Sequence, residues 1–172
     1  MGDDHDFFAG EQIAVADDER IRQILDQVCA LTGMGFAAVA RVTDKRWIAC
    51  QLVDRIEFGL NPGDELDLKT TICSEIRGHG DTVVIDHVAA DPRWRTHHTP
   101  IMYGFESYAA FPIRLANGDF FGTLCAIDPH ERTLSAPAVV AALAKFAEEI
   151  AAILSARLGR ANSASETAPT QT

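Results

Sequence analysis

The sequence predicts an α+β fold: an antiparallel sheet with helices from both chain ends on one face and a long connection on the other. Three observations predict it. A hairpin over 107–129 is apolar on both faces, helical apolar stripes lie near both ends, and an aperiodic segment rich in His and aromatic residues spans 86–104. In the hairpin, Tyr108, Ala110 and Pro112 alternate with Ala109, Phe111 and Ile113. On its second arm Phe121, Thr123, Cys125 and Ile127 alternate with Gly122, Leu124 and Ala126. Asn117-Gly118 between the arms predicts a type I′ turn. Two apolar faces place this hairpin mid-sheet, covered on both sides.

The remaining elements follow in chain order. Residues 1–15, opening with Asp3, Asp4 and Asp6, read as a flexible arm, and the ordered domain spans 16–158. Asp17, Asp18 and Glu19 suit a first helical turn, where the helix dipole favours negative charge. Ile21, Ile24, Leu25, Val28 and Leu31 then form one helical stripe, with Gly33 as its C-terminal stop. Residues 36–42 and 47–53 read as a strand pair joined at Thr43–Arg46, and 65–68 as a short edge strand. Thr70 or Thr71 is positioned to cap a short helix carrying Ile72, Cys73 and Ile76, ended by Gly78 and Gly80. Val83–Ile85 is a short buried strand. The 86–104 connection is long enough to be a functional loop with helical fragments. Ser135 is placed to cap the last helix with Pro137 in its first turn. Val139, Leu143, Phe146, Ile150 and Ile153 make a heptad-like seam, which predicts a homodimer through the terminal helices. The polar 159–172 tail reads as disordered.

Composition narrows the function. The 172 residues are 47% hydrophobic, enough for one domain with a real core, and the formal net charge is −10. That charge, without a Lys/Arg cluster, argues against nucleic acid and anionic membranes as partners. No apolar run reaches the roughly 18 residues of a membrane span, and no signal peptide is visible. Asp6 stands where a myristoylation motif requires Ser or Thr. The chain reads as a soluble cytoplasmic protein. Its four cysteines, Cys29, Cys50, Cys73 and Cys125, are dispersed without a C-x-x-C pair, as reduced residues would be.

Three blocks, in order, carry a family resemblance. They are Thr71–Ile76, the Val83–Trp94 strand with its Asp91-Pro92-Arg93-Trp94 turn, and Phe105–Ile113 followed by Gly122–Asp128. Over about 17–158 the chain resembles a GAF domain, a sensory input module of bacterial signalling proteins. The resemblance implies a GAF-like (PAS-related) sheet of about six strands, terminal helices on one face, and a loop with short helices covering a ligand pocket on the other. It implies a non-enzymatic sensory or regulatory role, relayed through the terminal helices to a histidine kinase or other effector. No kinase-type glycine loop or cyclase motif accompanies the domain, so it reads as a stand-alone sensor acting in trans or as an excised fragment. The alternatives are a thiol-dependent enzyme of the free methionine sulfoxide reductase type and a non-covalent haem or bilin sensor. The cysteines do not fall at the reductase positions, and the 86–104 loop holds no cysteine for a covalent chromophore.

The candidate ligand-binding set is Cys73, Asp86, His87, Trp94, His98, Met102, Tyr103, Phe105 and Tyr108. Trp94, Met102, Tyr103 and Phe105 supply aromatic and polarizable surface for a small, partly planar ligand. Cys73, near a helix N-terminus, is the better redox candidate, while Cys125 inside a central strand reads as a small hydrophobe. His87, His97 and His98 are the imidazoles available to a haem or metal. Asp86, Asp91 and Asp128 also suit turns and caps. No basic residue is placed to meet a phosphate, and the residues name no cofactor.

Overall fold

The computed structural model describes residues 18–167. The expected 1–15 arm and the end of the tail lie outside them. The chain runs α1 (Glu19–Thr32), β1 (Phe36–Val42), β2 (Trp47–Asp54), β3 (Glu65–Leu66), α2 (Cys73–His79), β4 (Val83–Ile85), α3 (His98–Tyr103), β5 (Ser107–Arg114), β6 (Phe120–Asp128) and α4 (Pro137–Thr167). Short 3₁₀ turns at Leu68–Thr70 and Val88–Ala90 complete the connections. The six strands form one antiparallel sheet in the order β3-β2-β1-β6-β5-β4, with the β5–β6 hairpin inside it. At its centre, a Cβ on Gly122 would lie 1.8 Å from the Ala40 carbonyl oxygen, so β1 and β6 approach as closely as they do because that residue is glycine.

Each sheet face builds its own core. On the back, Ala37, Val39, Ala109, Phe111, Leu124 and Ala126 meet Ile21, Leu25 and Val28 of α1 and Leu143, Ile150 and Leu154 of α4. On the front, Phe36, Ala38, Ala40, Tyr108, Ala110, Cys125 and Ile127 meet α2 and the connecting segments. The Asp18 carboxylate caps α1 through the amides of Arg20 and Ile21, and Gly33 ends the helix at φ 74°. Asp18 also pairs with Arg157 of α4 at 3.3 Å, tying the two back helices together.

Several local expectations are corrected. The central hairpin turn is not type I′. The Gly118 amide donates to the Leu115 carbonyl at 2.8 Å and the Leu115 amide to Asp119 at 2.9 Å, with positive φ at Gly118 and not at Asn117. This is a three-residue loop in which glycine alone takes the left-handed position. The register then shifts at Arg114, and Phe121 joins the back core instead of the Cys125 face, because the irregularity reverses the pleat. Leu31 is 43% exposed, since ten residues beyond Ile21 the helix has turned it off the buried stripe. The short helix starts without a Thr cap: its N-cap is Ile72, and the Thr71 hydroxyl donates to Leu68 O instead. Gly78 lies within that helix, which Gly80 ends. Ser135 does not cap α4, because its hydroxyl donates to Asp86 at 2.6 Å. The α4 backbone continues past Gly159 to Thr167, where the tail was expected to be disordered. Nothing crowds Gly159, and the Ala, Arg, Ser and Glu residues beyond it tolerate a helix.

Candidate functional site

The front face carries the candidate site because its cover is discontinuous. Instead of long helices it has two short ones, two 3₁₀ turns and the 55–64 loop. The Asp54 carboxylate accepts from the amides of Ile56, Phe58 and Gly59, which winds that loop tightly and holds Glu57 at φ 55°. Phe58 is thereby laid against Phe36 and Tyr103, with ring centroids 5.1 and 5.8 Å away. Tyr103 is fixed from the other side. Its hydroxyl bonds that of Thr70, and the Thr99 hydroxyl donates to the Thr70 carbonyl at 2.7 Å, so α3 is pinned to the Leu68–Thr70 turn.

Beneath this cover lie two adjoining spaces. The inner cavity is about 40 Å³ and is lined by Phe36, Trp47, Cys73, Tyr108, Cys125 and the undersides of Phe58, Tyr103 and Phe105. It has room for about three waters. The outer cleft is about 440 Å³ and is lined by Ile56, Glu57, Met102, Gly104 and Pro129. Phe58, Leu60, Leu66, Tyr103, Phe105 and Ile127 border both spaces. The Phe58–Tyr103 contact therefore stands at their junction.

Cys73, in the wall of the inner cavity, has buried polar neighbours. Cys73 Sγ lies 3.1 Å from Thr123 Oγ1 and 3.4 Å from the Tyr108 hydroxyl. Thr123 and Cys125, two apart on β6, share the face onto which the start of α2 sets Cys73. The Cys73 pKa is lowered to about 6, first by Cys125 and then by the Thr123 and Tyr108 hydroxyls, against the opposing effect of burial. Cys125 is pushed well up because it is the donor of that pair and is buried. Burial, and then the negative Cys73, hold Tyr108 far above the usual phenol range. Trp47 Nε1 is buried without a hydrogen-bond acceptor.

The structure gathers four of the predicted residues, Cys73, Tyr103, Phe105 and Tyr108, in the inner cavity wall. Met102 is 59% exposed and borders only the outer cleft. Trp94 is buried in the front core, flanked by His97 at 4.9 Å and Arg93 at 4.7 Å, but it does not line the cavity. Asp86 lies elsewhere, accepting from the amides of Leu134 and Ser135 at 2.9 and 3.0 Å, so it clasps the approach to α4. His87 pairs at the surface with Glu131 at 2.9 Å. His98 is exposed and stacks on His97, whose Nδ1 caps α3 and whose Nε2 meets Glu75 at 3.1 Å. These three imidazoles lie outside the cavity wall, and no group of three or more metal-ligating residues occurs among the described residues. Sequence reasoning missed Trp47, Thr123 and the role of Cys125. The signal for the last two was the Thr-x-Cys spacing, which puts both side chains on one sheet face.

The sequence profile of the GAF domain matches residues 18–154. This chain belongs to the GAF domain family. Its fold is similar to the GAF domain of PixJ from Thermosynechococcus elongatus in its blue-light absorbing form, with a TM-score of 0.66 at 8% identity over 100% of both chains. It is also similar to the GAF domain of a two-component sensor histidine kinase from Bacillus halodurans, with a TM-score of 0.63 at 11% identity over 88% of this chain and 99% of that one. A type II free methionine-R-sulfoxide reductase from Thermoplasma acidophilum has a TM-score of 0.58 at 12% identity, over 88% of this chain and 96% of that one. No curated protein matches the sequence. At these identities the likeness establishes the GAF fold, including its six-stranded antiparallel sheet. No helix among the described residues is long and apolar enough to cross a membrane.

Proposed function

We infer that this GAF domain is a non-enzymatic sensory module of signal transduction that binds a small, partly planar apolar molecule on the front of its sheet. The observation that carries this reading is the pair of adjoining spaces, which share six lining residues. The outer cleft, at about 440 Å³, falls within the roughly 300–1,000 Å³ usual for small-molecule sites. It adjoins, across the Phe58–Tyr103 pair, an inner cavity whose lining is almost wholly apolar. Binding that parts Phe58 from Tyr103 displaces α3 and the 55–64 loop, and a ligand favouring the parted state shifts the population toward it.

The output runs through the back helices to a histidine kinase or other effector. Val139, Phe146 and Ile153, seven residues apart on α4, are half-buried, while Leu143 and Ile150 face the core. This line supports a homodimer in which α4 packs on a second copy. Ile150 is fully buried, so charging it would unfold the domain, and Phe146 and Ile153 are the informative positions for testing it.

Native mass spectrometry of freshly purified protein, followed by Trp fluorescence titration with any released compound, tests the binding reading. The expected result is saturable quenching that Leu60→Trp, a substitution narrowing the junction, abolishes without lowering Tm. Failure of the wild type to retain any compound, or equal binding by Leu60→Trp, would overturn it.

A further inference from the structure

We propose that Glu57 makes the outer cleft selective for cations, so that its ligand class is a small apolar body carrying a positively charged nitrogen, an amine or quaternary ammonium. The proposal rests on the small-molecule reading of the cleft and adds the charge of the occupant.

The cleft wall supplies one carboxylate and no basic residue to oppose it. Of the residues that line it, only Glu57 and Tyr103 carry titratable side chains, and the Tyr103 hydroxyl is already bonded to Thr70. Glu57 is exposed, and among the described residues its carboxylate has no hydrogen-bond or ion-pair partner. The cations nearest in the chain are engaged elsewhere. Arg55 pairs with Asp26 of α1 at 2.8 Å, and His130, next to the lining residue Pro129, meets Asp128 at 3.0 Å. The Asp54 carboxylate is spent on the loop, accepting from the amides of Ile56, Phe58 and Gly59. The formal net charge of −10 adds a field that draws cations toward the surface and repels anions.

The backbone fixes where that carboxylate stands. Glu57, at φ 55°, is the one non-glycine residue with a positive φ among the described residues. A side chain in the left-handed region costs free energy that glycine avoids, and the three hydrogen bonds to Asp54 hold it there. The same turn lays Phe58 on Phe36 and Tyr103 while Glu57 stays exposed in the cleft wall. A carboxylate and an aromatic ring, adjacent in the chain, therefore border one space, with Tyr103 and Phe105 completing its aromatic side. A cation within about 6 Å of a ring centroid is drawn to the negative ring face, most strongly where water is displaced. The carboxylate adds an attraction that solvent weakens but does not cancel. An anionic ligand would meet Glu57 and no basic group in the wall.

The test uses two probes of one shape, phenyltrimethylammonium and its neutral counterpart tert-butylbenzene. Each is titrated into ¹⁵N-labelled protein while the Gly59 and Gly104 amides are followed by NMR. Both probes should shift these amides, the cation with a Kd about five- to tenfold lower, and added salt should narrow the gap. Glu57→Gln keeps the size and removes the charge at an exposed position. It should raise the Kd of the cation about fivefold and leave that of tert-butylbenzene unchanged. Equal affinity of the wild type for both probes, or unchanged cation binding by Glu57→Gln, would overturn the cation assignment alone. No shift with either probe would overturn it together with the small-molecule reading of the cleft.

Discussion

The two faces of this sheet start from the same strand alternation and end as different environments. On the back, α1 and α4 lay continuous aliphatic stripes on Ala37, Val39, Phe111 and Leu124, and the space closes. On the front, the cover is made of short pieces whose aromatic side chains do not tile the surface, and a cavity remains. Long regular elements fill volume by matching periodicities; broken cover leaves space that polar groups and ligands can use. The cysteines show the consequence most plainly, because the same residue type is a packing group on one face and a thiolate candidate on the other.

The largest expected effect that would break this comparison lies in the back core. Ile150→Ala should cost about 2–5 kcal/mol in urea unfolding, whereas Cys125→Ala, beside existing empty space, should cost about 1 kcal/mol or less. Equal losses would mean that the front is packed as tightly as the back. Gly122→Ala probes the seam between the faces. With its Cβ driven against Ala40 O at 1.8 Å, it should lose about 3 kcal/mol, read as a lowered urea midpoint. A neutral result there would show that β1 and β6 separate freely.

Subtler effects sharpen the contrast in chemistry. Thiolate absorbance should appear as pH rises through about 6, where Cys73 deprotonates, and should vanish in Cys73→Ser. Removing a donor raises the midpoint, so Thr123→Val, which deletes the hydroxyl 3.1 Å from Cys73 Sγ, should move it up. At the half-buried positions of α4, Phe146→Glu with Ile153→Glu should convert a dimer to a monomer in sedimentation velocity. An unchanged mass would remove α4 as the dimer surface. Met102→Ser, at 59% exposure, should change stability by no more than about 0.5 kcal/mol.

Much of the sheet was legible in the sequence because its strands depend on local alternation. Residues 36–42 and 83–85 are strands with the predicted limits, and the Asp18–Gly33 helix signals agree with the observed caps. Features set by distant partners were not legible. The Ser135 hydroxyl is taken by Asp86, and the pleat of β6 is reset at Phe121 by the three-residue turn. The site divides along the same line. Tyr108 and Phe105 could be placed from strand phase and the end of the loop. Asp86, His87 and His98 are polar groups in a suggestive segment whose partners, in the Glu131–Ser135 stretch and on His97, only the folded chain supplies. Cys125 looked like packing because nothing local says that α2 begins above it.

The most direct measurement is the rate of iodoacetamide labelling of each cysteine in the native protein, followed by peptide mapping across pH. Cys73 should react first, with a rate rising through pH about 6, while Cys29 and Cys50 stay protected until the domain unfolds. Labelling of Cys73 no faster than Cys29 would contradict a reachable thiolate at the end of the front cavity.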